Sequence, residues 1–321
     1  MSPSTPPRRP ALPTLPPRAA PGAEAQRRGM WLGLLGVLIF AMTLPMTRLA
    51  VGSSAEPQLT PLFVTAGRAA LAGLLSIGYL LATGAVRPGR AHWPALAVCA
   101  AGTVVGFPLF LGLALRRVDA MHGAVVTGLL PLATALAAAV AMRQRPSAGF
   151  WACAVAGFAL VVAFAALQGG GTLALADALL LGAVLSASIA YVAGAKLATQ
   201  MSAEHTICWV LVLSLPLTLP VALLTWPAQP GAVRASAWGG FMYVSLFSMW
   251  LGFFAWYRGL ALGGAVRVSQ VQLVQPFFAL LFAAALTGER LGASTLLFSV
   301  AVIATVFLGK RMPVNAPGAL P

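Results

Sequence analysis

Apolar runs of membrane-spanning length succeed one another along this chain, near residues 30 to 50, 60 to 83, 93 to 114, 120 to 142, 148 to 167, 174 to 195, 206 to 225, 238 to 257, 265 to 287 and 292 to 309. Each falls near the ~17 to 25 residues that a spanning helix needs, so the pattern predicts ten spans. The polar stretches between them are short and leave no room for a soluble catalytic domain. Arg116, Arg117 and Asp119 alone part the third run from the fourth, which predicts a tight turn there.

The ninth run departs from the others. Between Ala265 and Arg290 it carries Ser269, Gln270, Gln272 and Gln275, then Pro276, and it ends on Gly288, Glu289 and Arg290. A spanning helix with amides in its first half and a proline in its middle lines a polar cavity, or packs against a partner that satisfies the freed backbone groups. Ser269, Gln272 and Pro276 share one helical face, with Gln275 beside it.

Sliding the second half over the first by 145 residues places Pro276 on Pro131 and Arg290 on Arg145, and the windows 265 to 295 and 120 to 150 share eight identities. Under the same shift Thr127 meets Gln272, His122 meets Arg267 and Gln144 meets Glu289. Five spans per copy means that the second copy enters from the opposite side. Such an inverted repeat is a common construction of secondary transporters, with the solute site near the midplane between the halves.

Composition narrows the class. The 321 residues are 60% hydrophobic and 8% charged, with a mean hydropathy of +0.89. A soluble domain carries about 25% charged residues, so an all-α multi-pass membrane protein is expected. The net charge of +14 does not point to nucleic acid, because the basic residues lie between the runs and in the tail. Fourteen of them fall on the side of the N-terminus, five (Arg48, Arg116, Arg117, Arg234, Arg290) on the other, and Arg68 lies inside a span. That asymmetry predicts both termini in the cytoplasm.

Residues 1 to 29, with eight prolines and five arginines, are expected to be a disordered cytoplasmic tail rather than a cleaved signal peptide, and 310 to 321 a short tail at the other end. The two copies between them span 30 to 167 and 174 to 309. Cys99, Cys153 and Cys208 sit singly in apolar runs and have no metal-type spacing.

The segment Ala-Trp-Tyr-Arg-Gly-Leu-Ala at 255 to 261, then Pro276 and Gly288-Glu289-Arg290-Leu291, resembles the second EamA domain of the drug/metabolite transporter superfamily. The first copy resembles it more weakly, through Arg68, Ala114-Leu115, Pro131 and Gln144-Arg145, where the family usually has a Gly-Glu pair. The resemblance covers about residues 30 to 310. It implies ten transmembrane helices in two inverted five-helix EamA repeats, and export or exchange of small organic solutes across the inner membrane. It implies no particular solute, since the family spans amino acids, metabolites, sugars and drugs.

Candidate solute-binding residues are Ser269, Gln272, Gln275, Trp250, Tyr191, Thr127, His122 and Arg68, with Pro131 and Pro276 as helix breaks. The amides can donate and accept, although amides also bond neighbouring helices. Trp250 opens an aromatic stripe with Phe254 and Tyr257 that could wall a cavity, whereas Trp256 and Tyr257 suit the interfacial belt. Ser186, Ser188 and Tyr191 add hydroxyls to the sixth run, where hydroxyls also bond back to their own helix. Thr127 takes its claim from its register with Gln272. His122 is either a protonatable group near the surface or a bonded neighbour.

A charge inside a span costs several kcal/mol, about 2.5 to 3.5 on insertion scales, so Arg68 meets either an anion or a structural partner. Asp119, Asp177 and Glu289 near span ends read as solvated or paired, Glu289 with Arg290. A membrane enzyme acting on lipid-linked substrates would need clustered acid/base or metal-binding groups, and the three dispersed histidines supply none. A scaffold role leaves no motif. No phosphate-binding Gly-x-x-x-x-Gly-Lys-Ser/Thr loop is present for an ATP-driven pump. No cofactor or metal is expected. The expected partners are a small-molecule solute and the lipid bilayer, with a homodimer left open.

Overall fold

In the computed structural model, residues 23–141, 143, 145–168, 174–198, 200–263, 268–312 and 314–315 are described. Most of the proline-rich tail, together with Gln144 and Arg267, lies outside them. The tail boundary expected at residue 29 shifts, because helix already begins at Ala23.

Among the described residues eight helices are long and apolar enough to cross a membrane. They are α1 (Ala23–Val51), α2 (Pro61–Ala82), α3 (Arg90–Leu115), α4 (Ala120–Ala141), α5 (Ala148–Gln168), α6 (Leu175–Gly194), α7 (Ala203–Leu224) and α8 (Ala235–Leu260). Two shorter apolar helices come after them, α9 (Val271–Thr287) and α10 (Ala293–Gly309). The chain is thus an all-helical, multi-pass membrane protein. A two-residue pairing of β1 (Arg145–Pro146) with β2 (Val314–Asn315) ties the α4–α5 connection to the segment after α10. Large apolar side chains such as Leu81, Val155, Leu223 and Leu297 stand exposed on the outside of the bundle, as a lipid-facing surface requires.

The helices associate across the copies: α1 with α8 and α9, α6 with α3 and α4, α2 with α7, α4 with α9 and α5 with α10. Exchanging the first five helices for the last five returns the same set of pairs, so the packing itself repeats. The backbone irregularities repeat too. Ala100–Gly106 in α3 and Val244–Leu251 in α8 both wind as π turns, and shifting the first by 145 residues lands it on 245–251. π turns arise where an extra residue is accommodated in a helix, and they concentrate at functional sites.

Small residues bring the paired backbones together. A Cβ on Gly259 of α8 would lie 2.7 Å from the backbone nitrogen of Gly33 and 3.0 Å from the carbonyl oxygen of Gly29, both in α1. Without a hydrophobic force between helices in lipid, such close van der Waals approach is a main source of association. Trp256 fills the space beside this contact, packed on Val37 and Val268. Only 8% exposed, it belongs to the core and not to the interfacial belt. The aromatic cluster at a bundle end is formed instead by Phe63, Trp226, Trp238 and Phe241, with the Phe63 and Phe241 rings stacked at 5.2 Å.

Gly259→Val should therefore lower the thermal stability of the detergent-purified chain by the equivalent of about 1–3 kcal/mol, the usual range for overpacking. Gly78→Ala is the matched control, because a Cβ there meets nothing within 4 Å. Equal melting of the two variants would mean that the α1–α8 contact can slide apart.

Candidate functional site

Both copies break a helix at the same place. In α4 the helix Ala120–Thr127 ends at Gly128 and a new one starts at Leu130, with Pro131 in its first turn. In α9 a 3-10 segment, Ser269–Val274, gives way to α-helix at Gln275, with Pro276 in its first turn. Each proline lacks the N–H that would bond the carbonyl four residues back, which belongs to Thr127 and to Gln272. The 3-10 winding also changes which side chains share a face. At three residues per turn, positions 269, 272 and 275 fall in one row, and Gln272 and Gln275 both line a small pocket of about 20 Å³ together with Thr127, Pro131 and Pro276. The side chain of Ser269 lies outside the described residues.

Thr127 and Gln275 also border a larger cavity beside this seam, of about 50 Å³. Its polar wall is Arg68, Thr43, Thr103, Tyr191 and Ser248; its apolar wall includes Phe40, Phe107, Met249 and Phe253. Thr103 comes from one π turn and Ser248 and Met249 from the other. α1 bends beside them at Met42, where Pro45 leaves the Ala41 carbonyl without its helical donor. Arg68 is 3% exposed. Its Nη2 donates to Ser248 Oγ at 3.0 Å, Ser248 Oγ is 2.8 Å from Thr43 Oγ1, and the Arg68 Nε has no partner. This hydroxyl relay joins α1, α2 and α8 across the two halves.

All six side-chain carboxylates are placed elsewhere. Asp119 meets Arg48 at 3.5 Å, Asp177 meets His122 at 2.7 Å, Glu56 meets Arg234 at 2.7 Å and Glu204 meets Arg258 at 3.9 Å. Glu24 is exposed near the start of α1. Glu289 does not pair with Arg290 among the described residues. It accepts from the backbone N–H groups of Ala120 at 2.8 Å and Met121 at 2.7 Å, closing the N-terminus of α4 with a residue from just beyond α9. Those N–H groups have no helical acceptor and carry the positive end of the helix dipole, so a carboxylate there is favoured over one fully solvated beside Arg290.

The same end of the bundle is sewn by arginines. Arg48 donates to the carbonyls of Leu115 and Gly52. Arg116 donates to those of Val51 and Leu59, and burial, reinforced by the neighbouring Arg117, lowers its pKa. Arg117 donates to Leu113 O at 3.0 Å. A vestibule of about 510 Å³ lies there, bordered by His122, Asp177, Glu289 and Arg290.

The structure thus brings Arg68, Thr127, Tyr191 and Gln275 to one cavity, with Gln272 in the adjoining pocket. His122 stands apart in the vestibule, bound to Asp177 and with its ring tilted against that of Phe164 at 5.1 Å. Trp250 does not line either cavity. It packs on Phe254 and Tyr79, and Phe253 takes the wall position. The π turn shifts the facing of this segment relative to an α-helical stripe. Ser188 bonds back to Val184 O at 2.7 Å. Sequence reasoning missed Thr43, Thr103 and Ser248; their signal was a lone hydroxyl in an apolar run, too common to single them out. Among the described residues no group of three His, Cys, Asp or Glu could hold a metal ion.

Comparison with known proteins matches residues 27–165 and again 174–309 to the EamA-like transporter family. The uncharacterized transporter YdeK of Bacillus subtilis (strain 168) is 44% identical over 282 residues, which are 88% of this chain and 96% of the relative. A solved crystal structure covering 88% of this chain and 96% of its own is similar in fold, with a TM-score of 0.60 at 18% identity.

Glu289→Ala removes the acceptor of two amides, and the loss should cost about 0.5–2 kcal/mol, as for other helix caps. Hydrogen–deuterium exchange at Ala120 and Met121 should accelerate several-fold while exchange within α2 stays unchanged. Unaltered exchange at the two amides would show that Glu289 does not hold that seam.

Proposed function

The chain belongs to the EamA-like transporter family, and from that premise we propose that it is a secondary transporter, an exporter or exchanger of small organic solutes across the inner membrane. We read α1 to α10 as ten spans in two inverted five-helix repeats, with both termini cytoplasmic. The short α9 and α10 then cross with the help of the 3-10 segment and of their flanks. Orientation rests on the excess of Lys and Arg on the side of the termini, and the five basic residues of the other side include four engaged in bonds to backbone or acid.

The observation that carries the reading is the seam between the two copies, where two proline breaks and the amides Gln272 and Gln275 meet in one pocket beside a larger cavity. Irregular backbone is tolerated at membrane depth only where it is buried in protein or lines such a cavity. In this reading the halves rock about the cavity and expose it to each side in turn. In the same reading the bonds of Glu289 to Ala120 and Met121 tie the two copies together on the outer side, and motion of the copies must break them, while Arg48 and Arg116 brace the first copy alone.

Reconstitution into liposomes with a panel of amino acids, organic acids, nucleobases and cationic drugs tests the reading. Passage of at least one solute class is expected, with Gln275→Ala cutting its rate at least about tenfold at unchanged expression, the loss of one or two hydrogen bonds in a desolvated site. Absence of any flux in either direction, with and without a pH gradient, would contradict it.

A further inference from the structure

Arg68 is a buried cation without a counter-ion, and its surroundings define what could supply one. A guanidinium stays protonated in proteins and presents its donors as a planar fork. Here a single neutral hydroxyl, Ser248 Oγ, answers one nitrogen, while Nε is unmet. Every side-chain carboxylate is accounted for elsewhere. Leaving a buried charge unpaired is costly, and a bidentate carboxylate is its best geometric complement.

The cavity beside Arg68 holds no acidic side chain in its wall, so a solute's ammonium group would find no opposite charge there. Phe40, Phe107 and Phe253 give the cavity an apolar wall on which an apolar or aromatic body can pack once the two copies move apart, and Gln275 and Tyr191 offer further polar contacts. One cation among apolar walls also fits a monocarboxylate better than a phosphate, whose greater charge calls for several donors.

We propose that this cavity takes an organic acid anion: a solute whose one carboxylate engages Arg68, whose body is apolar or aromatic, and which carries no ammonium group. The proposal rests on the transporter reading and narrows it from small solutes at large to carboxylates.

Three probes that share a benzyl-sized body and differ in charge test it: phenylpyruvate, phenylalanine and phenethylamine. Binding is read from thermal stabilisation of the purified full-length chain in chloride-free buffer, and movement from counterflow in proteoliposomes. Phenylpyruvate should stabilise and exchange at concentrations at least about tenfold below those of the other two, and Arg68→Gln should abolish that preference while Arg68→Lys retains part of it. Preference for phenylalanine or phenethylamine, an unchanged response in Arg68→Gln, no stabilisation by any probe, or equal stabilisation by chloride alone would each overturn the proposal. The charge series on the unaltered chain decides the matter even where Arg68→Gln does not fold. Movement of the amine or the amino acid without the acid removes the proposal and leaves the transporter. Arg68-dependent binding of phenylpyruvate without any flux removes the transporter and leaves the site.

Discussion

Polar groups at membrane depth have no water to turn to, and the structure is arranged around the few that this chain places there. Arg68 is the extreme case, a full charge 3% exposed in a bundle whose six side-chain carboxylates all lie elsewhere. The carbonyl of Thr127, which Pro131 leaves without its helical donor, poses the same problem on a smaller scale, while that of Gln272 is taken by the Gln275 N–H. Two adjoining voids answer them. The seam between the two copies gathers the broken turns, the amides and the arginine, while the outside of the bundle is left to aliphatic side chains.

Pairing across the copies then comes from the repeat. Each helix meets its partner in a pattern that is unchanged when the copies are exchanged, and the π turns and proline breaks recur at the same register. Equivalence stops at the charged positions. Glu289 closes the start of α4 with two backbone bonds, where the corresponding residue of the first copy is the uncharged Gln144. Two similar scaffolds with unlike polar equipment can hold a cavity that is symmetric in shape and asymmetric in charge, which suits a solute with one charged end.

Fold class, span positions and the 145-residue repeat were legible because they rest on hydropathy and on prolines, which act locally. The site was legible in part. Arg68, Gln272, Gln275 and Thr127 announced themselves as polar residues in apolar runs, and the structure gathers them at one seam. Trp250 was misplaced because its facing was read at a uniform 3.6 residues per turn, whereas it belongs to the π turn Val244–Leu251. Trp256 was misplaced because residue type suggested the interfacial belt, while the partner it packs on, Val37, lies 219 residues away in α1. Thr43, Thr103 and Ser248 were invisible for a related reason, since a hydroxyl gains meaning only from the group that stands opposite it. The partner of Glu289 lies 168 residues away across the two copies, beyond any local pattern.

The most direct measurement is a structure of the full-length chain with 4-iodophenylpyruvate, located by the anomalous signal of iodine. A single peak in the cavity beside Phe40, Phe107 and Phe253, with the carboxylate density on Arg68, is the expected result. A peak confined to the vestibule of His122 and Asp177, or no peak at saturating concentration, would contradict a solute site between the two copies.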